Sequence, residues 1–315
     1  MSTFSSPSVI DLSRLPAPTA IEPIAFEALL QGFVDRFKAY WDELRLSNPL
    51  LPAYDVDRLQ YDPVIVLGRA WSYIRMLDRQ RVNDGLKALL APLSSGTNLQ
   101  ALVAGRNIER MVAAPATENS PAVMEADTAL LRRYLLSLDR ASAGSANRYL
   151  FDAWAAWPQS EDRTLGLWDA RVNGFDVHGR RGDDDIVIIG PFGRLPTEDE
   201  RLEIRTAVTQ PSGKANAISV AVLPATRAEY AVSLVVELPA GPDPSVVVAE
   251  AEARVRAACI ERTLIGGEIP AGLITGAAYG PSVIKVRDLS PVVIAPDPYT
   301  VPVLGDVSIV PEIRA

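Results

Sequence analysis

In 315 residues the sequence holds one histidine, His178, and one cysteine, Cys259. A catalytic triad or an imidazole metal site would rest on that single ring, and a lone cysteine cannot close a disulfide within the chain. Cys259 shares a helical apolar face with Val255, which favours a packed small hydrophobe over a nucleophile. His178 sits in Gly174-Phe-Asp-Val-His-Gly179, whose turn-forming neighbours favour a solvated loop over a general base. No apolar run approaches the ~20 residues needed to cross a bilayer. The opening Met1-Ser-Thr-Phe-Ser-Ser has neither the basic start nor the apolar stretch of a signal peptide, so synthesis and folding in a cytoplasm are expected. A net charge of −8 opposes nucleic-acid phosphates, and no Lys/Arg stripe interleaved with aromatics offsets it locally. G-x-S-x-G, P-loop, G-x-G-x-x-G and H-E-x-x-H patterns are all missing.

What is present is enough apolar sequence for ordinary cores, 48% hydrophobic against 22% charged, and an excess of proline, 25 in all. The prolines gather in 7–23, 112–121, 239–244 and 291–311, which divides the chain into pieces joined by stiff connectors. Residues 1–23 read as an extended arm. Its apolar side chains, Val9, Ile10, Leu12 and Leu15, stand between prolines with too little length for a core, so the arm is expected to order on a partner.

From Phe26 to Leu44 apolar residues recur at three and four, placing Phe26, Leu30, Phe33, Phe37, Tyr40 and Trp41 on one broad face of a helix that ends before Asn48-Pro49. Such a face packs either in its own core or on a partner helix. A second long helix starts at Asp62-Pro63, a cap followed by a residue needing no amide donor, and carries Val64, Leu67, Trp71, Ile74 and Leu77 inward. A short helix around Leu99–Val103 follows, and 112–122 reads as a linker of small residues and turn formers.

The second half is α+β, with helices over 125–139 and 145–156, strands over 165–171, 186–189 and 217–223, and a helix opened by the capping box Thr197-Glu-Asp-Glu200. It continues with a strand over 229–238, a helix over 244–261 opened by Asp243-Pro244, a short helix near 270–278, and strands over 282–288, 291–294 and 306–310. The fold class expected is therefore α+β, an all-helical N-terminal domain followed by small α+β domains with mixed sheets. The domains are a 1–23 arm, a 24–122 helical domain and linker, a 123–225 middle domain and a 226–315 C-terminal domain.

Acidic clusters are the remaining candidates for chemistry. Asp183-Asp-Asp185 lacks the alternating loop that supplies the six or more oxygens of a Ca²⁺ site, and favours a solvated turn. Glu198, Asp199 and Glu200 lie in a first helical turn, where carboxylates meet the helix dipole. Trp154 and Trp157 favour core over a sugar platform.

Three passages resemble the J-like family of baseplate wedge proteins of contractile phage tails. They are Ser8-Val-Ile-Asp-Leu-Ser-Arg-Leu-Pro-Ala-Pro18 with Ile24-Ala-Phe-Glu-Ala-Leu-Leu30; Asp62-Pro-Val-Ile-Val-Leu-Gly-Arg-Ala-Trp-Ser-Tyr-Ile-Arg-Met-Leu-Asp-Arg-Gln-Arg-Val-Asn83 with Ser95-Gly-Thr-Asn-Leu-Gln-Ala-Leu-Val-Ala-Gly105; and Glu125-Ala-Asp-Thr-Ala-Leu-Leu-Arg-Arg133 with Ser142-Ala-Gly-Ser-Ala-Asn-Arg-Tyr149. Together they span roughly 8–150. The motifs report architecture and carry no chemistry.

The resemblance implies a structural subunit of the virion tail baseplate, made in the host cytoplasm, with no cofactor and no reaction. It implies self-association as a dimer, a helical bundle with a second, I-like wedge protein, contact with a small lysozyme-like sheath-nucleating subunit, and a place beside the central hub. Partner-binding residues expected on this reading are Phe26, Leu30, Phe33, Phe37, Tyr40 and Trp41 in the helix, and Val9, Ile10 and Leu12 in the arm. The alternative is a tail-associated glycan or cell-wall hydrolase using carboxylates such as Asp169, Asp183 and Glu198.

Overall fold

The computed structural model describes residues 18–55, 60–138, 143–241 and 243–314, and Val9, Ile10 and Leu12 lie outside them. Two compact units result, divided between Gly105 and Arg106.

The first unit is helical. α1 (Phe26–Ser47) and α2 (Pro63–Leu89) pack together, a single 3₁₀ turn follows at Ala91–Leu93, and α3 (Gly96–Ala104) closes the unit. α1 stops where Asn48 donates its amide to the Leu44 carbonyl ahead of Pro49. α2 starts as its sequence requires, with Asp62 accepting the Val64 amide at 2.9 Å and Pro63 in the first turn. Its inward face differs from expectation. The buried positions are Ile65, Gly68, Ser72 and Asn83, while Leu67, Trp71, Ile74 and Leu77 are exposed. The reason is steric. Phe33 and Leu30 of α1 occupy the space over Gly68, and only a small residue there allows that approach.

The second unit opens with a two-stranded hairpin, β1 (Val112–Ala114) and β2 (Val123–Met124), which occupies the stretch read as a linker. Proline and small residues suit its turn region, where Thr117 and Ser120 bridge. α4 (Asp127–Ser137) and α5 (Ala146–Ala156) follow, and α5 packs against α4.

β3 (Asp169–Asn173) starts four residues later than the expected strand, because Gly166, at φ +87°, brings the backbone onto Pro158 in a tight turn. After the one-turn α6 (Phe175–His178) come β4 (Asp183–Ile189), α7 (Glu198–Val208) and β5 (Ser219–Pro224). The sheet order is β3-β4-β5, antiparallel then parallel, with α7 as the crossover the parallel pair requires. Its middle strand is the apolar run Ile186–Ile189, wholly buried. The capping box at Thr197 and Glu200 forms in full.

β6 (Thr226–Leu238), α8 (Pro244–Glu261), α9 (Leu273–Ala278), β7 (Lys285–Asp288) and β8 (Thr300–Ile313) make a second mixed sheet of order β7-β6-β8. β8 is far longer than the expected 306–310 and runs through Pro302 and Pro311, residues that an edge strand tolerates. The expected strand at 291–294 reduces to one bridge between Ile294 and Ile269. α8 covers this sheet with Val255 and Cys259 against Tyr230, Val232 and Leu234.

The two α+β pieces share a core, in which Val187 and Ile189 of β4 pack with Val301 and Val303 of β8, Ala225, Ile265 and Trp168. Trp168 donates its indole N–H to the Thr263 carbonyl at 2.7 Å. The fold is thus α+β, with a helical N-terminal region ahead of small mixed sheets.

Candidate functional site

Aromatic residues in the helical unit organise its open end. Phe33 lies 5.4 Å from Trp71 between ring centroids, Phe37 stacks on Trp41 at 5.8 Å, and Tyr54 meets Phe37 edge-on at 4.9 Å. The loop bearing Tyr54 is pinned from both sides, since Trp41 donates its indole N–H to the Pro52 carbonyl at 2.9 Å and Tyr54 donates its hydroxyl to Asp62 at 2.6 Å. Of the residues singled out in α1, Phe26, Leu30, Phe33, Phe37 and Trp41 are half-buried, and Tyr40 is exposed beneath the Arg36 guanidinium. The structure therefore brings Leu30 and Phe33 onto α2, and Phe37 and Trp41 onto the Tyr54 loop. Tyr40 stays on the outer surface.

The larger apolar surface is the back of α2. Leu67 is 64% exposed and Ile74 58%, with Val66, Trp71, Tyr73 and Leu77 also open. These positions surround the side of the helix opposite Ile65, Gly68 and Ser72, so the unit is apolar on two faces and uses one for itself. A helix apolar nearly all round over 64–77 was the signal available in the sequence. Periodicity could not say which side α1 would take.

Beside this surface an extended segment is fastened to α2. Asn83, buried in mid-helix, accepts the Glu22 amide at 3.1 Å and donates to the Glu22 carbonyl at 2.8 Å, and Arg79 pairs with the Glu22 carboxylate at 3.3 Å. A polar residue inside a helix face is satisfied here by imitating a strand partner.

The acidic candidates and the histidine are held separately. Asp183 and Asp185 both pair with Arg180, at 3.3 and 2.6 Å, and Asp185 also accepts the Tyr299 hydroxyl. Burial pushes the Asp184 carboxyl up, with its acidic neighbours adding to the effect. His178 lies with Nε2 against the Asn173 carbonyl while Nδ1 accepts the Arg180 amide. Glu198 pairs with Arg201, which holds its carboxyl low, and Glu200 pairs with Arg194. Asp169 accepts the Ile265 amide at 2.8 Å, and burial raises its carboxyl. Trp154 and Trp157 are buried with Arg132 and Arg194 over their rings, and burial raises the Cys259 thiol. Among the described residues, no three His, Cys, Asp or Glu side chains gather as metal ligands.

A buried ion pair was not legible in the sequence. Arg133 and Glu125 meet at 2.7 Å, each almost fully enclosed, and Arg110 donates to the Glu125 carbonyl and pairs with Asp127. Glu125 also accepts the Met111 amide at 3.0 Å, so the pair anchors the hairpin base to α4. Burial nevertheless raises the Glu125 carboxyl.

Two comparisons with known proteins bear on this arrangement. Residues 61–117, which hold α2, α3 and the first hairpin strand, match the family model of the Baseplate J-like N-terminal domain. Over 292 residues the chain is 26% identical to Baseplate protein J of Escherichia phage P2, covering 90% of this chain and 91% of that protein. The resemblance is borne out by the family model within residues 61–117 and by the relative over 90% of the chain.

Proposed function

We propose that this chain, alike along most of its length to a phage baseplate protein J, is a structural subunit of a contractile-tail baseplate that works through its interfaces. The observation that carries this reading is the open apolar back of α2, inside the segment that the J-like domain model matches. Such a surface is costly in solution at about 25 cal/mol per Å² and is retained where a partner covers it. The partner that suits it is a helix from a second wedge protein. Val66, Tyr73 and Leu77 would form the seam, and the outer edges of Phe26, Phe37, Tyr40 and Trp41 would extend it.

The finer arrangement follows the same reading. The C-terminal α+β part pairs with a second copy, a small sheath-nucleating subunit is a further neighbour, and the hub lies within reach. In the particle the arm, with Val9, Ile10 and Leu12, lies on a neighbouring subunit. The helical unit and the two-sheet unit thus hold different neighbours, so that baseplate rearrangement is passed from one to the other. A hydrolase reading has no support from grouping, because Asp169, Asp183 and Glu198 are each bound to a different backbone or guanidinium partner.

The test is Tyr73→Asp combined with Leu77→Asp. Both residues are exposed, so the isolated protein should keep its circular dichroism and melting behaviour, while contractile particles fail to assemble and the second wedge protein no longer co-purifies. Wild-type particle yield from this variant would remove the proposed seam.

A further inference from the structure

We infer that Arg132 of α4 and Arg163 of the loop before β3 form a clamp for a carboxylate, and that an aspartate or glutamate in an acidic segment of another protein chain fills it. The inference concerns this surface alone and does not rest on the baseplate reading.

Both cations are held by their flat faces. The Arg132 guanidinium lies 4.4 Å from the centre of the Trp154 ring, and that of Arg163 lies 3.9 Å from the centre of the Trp168 ring. The two indoles are buried and the two arginines are exposed. A guanidinium stacked on a ring keeps the N–H donors of its edge free for a second partner. Among the described residues, neither Arg132 nor Arg163 donates a side-chain hydrogen bond or lies within ion-pair distance of a carboxylate. Arg110, Arg133, Arg148, Arg180 and Arg194 all pair with carboxylates instead. The fold thus immobilises two guanidinium groups without using their donors.

The two groups also act on each other. Protein crowded behind its guanidinium pulls Arg132 below the ordinary arginine range, Asp169 opposes this, and Arg163 adds to it. Asp169 offsets one of the two cations, and its own carboxylate is engaged by the Ile265 amide at 2.8 Å. Like charges brought within range repel each other in the free protein and attract together once an anion sits between them.

Arg163 is fixed before anything binds. Its φ of +59° is a left-handed conformation that a non-glycine residue adopts only where its surroundings impose it. The loop imposes it, because the Arg163 amide donates to the Ser160 carbonyl at 3.0 Å, the Ser160 amide to the Leu165 carbonyl at 3.2 Å, and the Leu165 amide to the Ser160 hydroxyl at 3.1 Å. A site held in this way loses little entropy on binding.

The planar fork of a guanidinium matches a carboxylate. One carboxylate balances a site of two cations and Asp169. Exposed Glu161 and Asp162 on the same loop, and the chain's net charge of −8, oppose a dense polyanion such as a nucleic-acid backbone.

The full-length protein with isotope-labelled arginine, titrated with acetylated tetraglutamate and followed by NMR at the side-chain N–H groups of Arg132 and Arg163, tests this. Both signals should shift saturably with tetraglutamate and stay in place with tetraglutamine. Arg132→Gln and Arg163→Gln, each at an exposed site and checked for unchanged circular dichroism, should weaken binding about tenfold, the loss of a charge-assisted hydrogen bond. Arg163→Lys, which keeps the charge and loses the fork, should fall between them and the wild type. No saturable shift, an affinity unchanged in both glutamine variants, or tighter binding of inorganic phosphate or oligothymidylate than of tetraglutamate would each overturn the inference.

Discussion

Phe33 stands so close to Gly68 that a β-carbon added at position 68 would lie 2.7 Å from Phe33 Cδ1 and 3.0 Å from Leu30 Cδ1. This contact decides which side of α2 faces α1, and through it which apolar residues are left outside. Gly68→Val should push the helices apart and cost about 1–3 kcal/mol, the range for overpacking a fitted contact. Urea titration followed by circular dichroism measures it. A midpoint within error of wild type would mean that the helices tolerate a wider spacing.

Asn83→Ala removes both hydrogen bonds to Glu22 while leaving α2 a good helix former. The loss should be local. Amide exchange at residues 20–24 is expected to speed up by at least about tenfold, with exchange in the centre of α2 little changed. Unaltered protection at Glu22 would show that the Arg79 pair alone holds the segment.

The buried pair of Glu125 and Arg133 gives two opposed expectations. Arg133→Ala leaves a carboxylate enclosed with the Met111 amide as its main support, and should cost about 3–5 kcal/mol. Glu125→Leu with Arg133→Met replaces both charges by apolar groups and should recover most of that loss. Equal melting temperatures for the single and double variants would show that the charge left behind carries no penalty.

Burial raises the Asp169 carboxyl, despite the Ile265 amide bound to it. The folded state therefore holds the Asp169 proton more tightly than the unfolded chain does. Stability from this group is fully present below its unfolded value of 3.8 and is lost as pH rises through the raised folded value. Asp169→Asn should then gain on the wild type as the buffer moves from pH 3.5 to pH 7, measured as the difference in urea midpoint at the two pH values. A difference constant with pH would show that Asp169 titrates alike in both states.

The N-terminal boundaries of the main helices were legible because each is a local event. Asp62-Pro63, Thr197 to Glu200 and Asp243-Pro244 all cap as their sequences require, since a cap involves only residues two or three apart. The buried strand Ile186–Ile189 was legible from its unbroken apolar run, whereas of its partner in the shared core, β8, only the part over 306–310 was. Pro302 and Pro311 hid the length of β8, because a proline is excluded from a central strand and accepted at an edge, and edge status is a property of the whole sheet. The hairpin at 112–124 was missed for a related reason. Its strands are too short to show alternation, and its base is fixed by Arg110, Glu125 and Arg133, which meet only after α4 has packed.

By itself the sequence determined the α+β class, most of the helices and the longer strands, and the J-like resemblance, because composition, capping and periodicity are set by near neighbours along the chain. Only the tertiary structure decided which face of α2 is inside. That helix is apolar on nearly every side between Val64 and Leu77, so its pattern allows several orientations. The choice fell to volume, where Phe33 and Leu30 need a partner with no side chain and only Gly68 meets that need. The surface left for other molecules is what this one packing choice does not use.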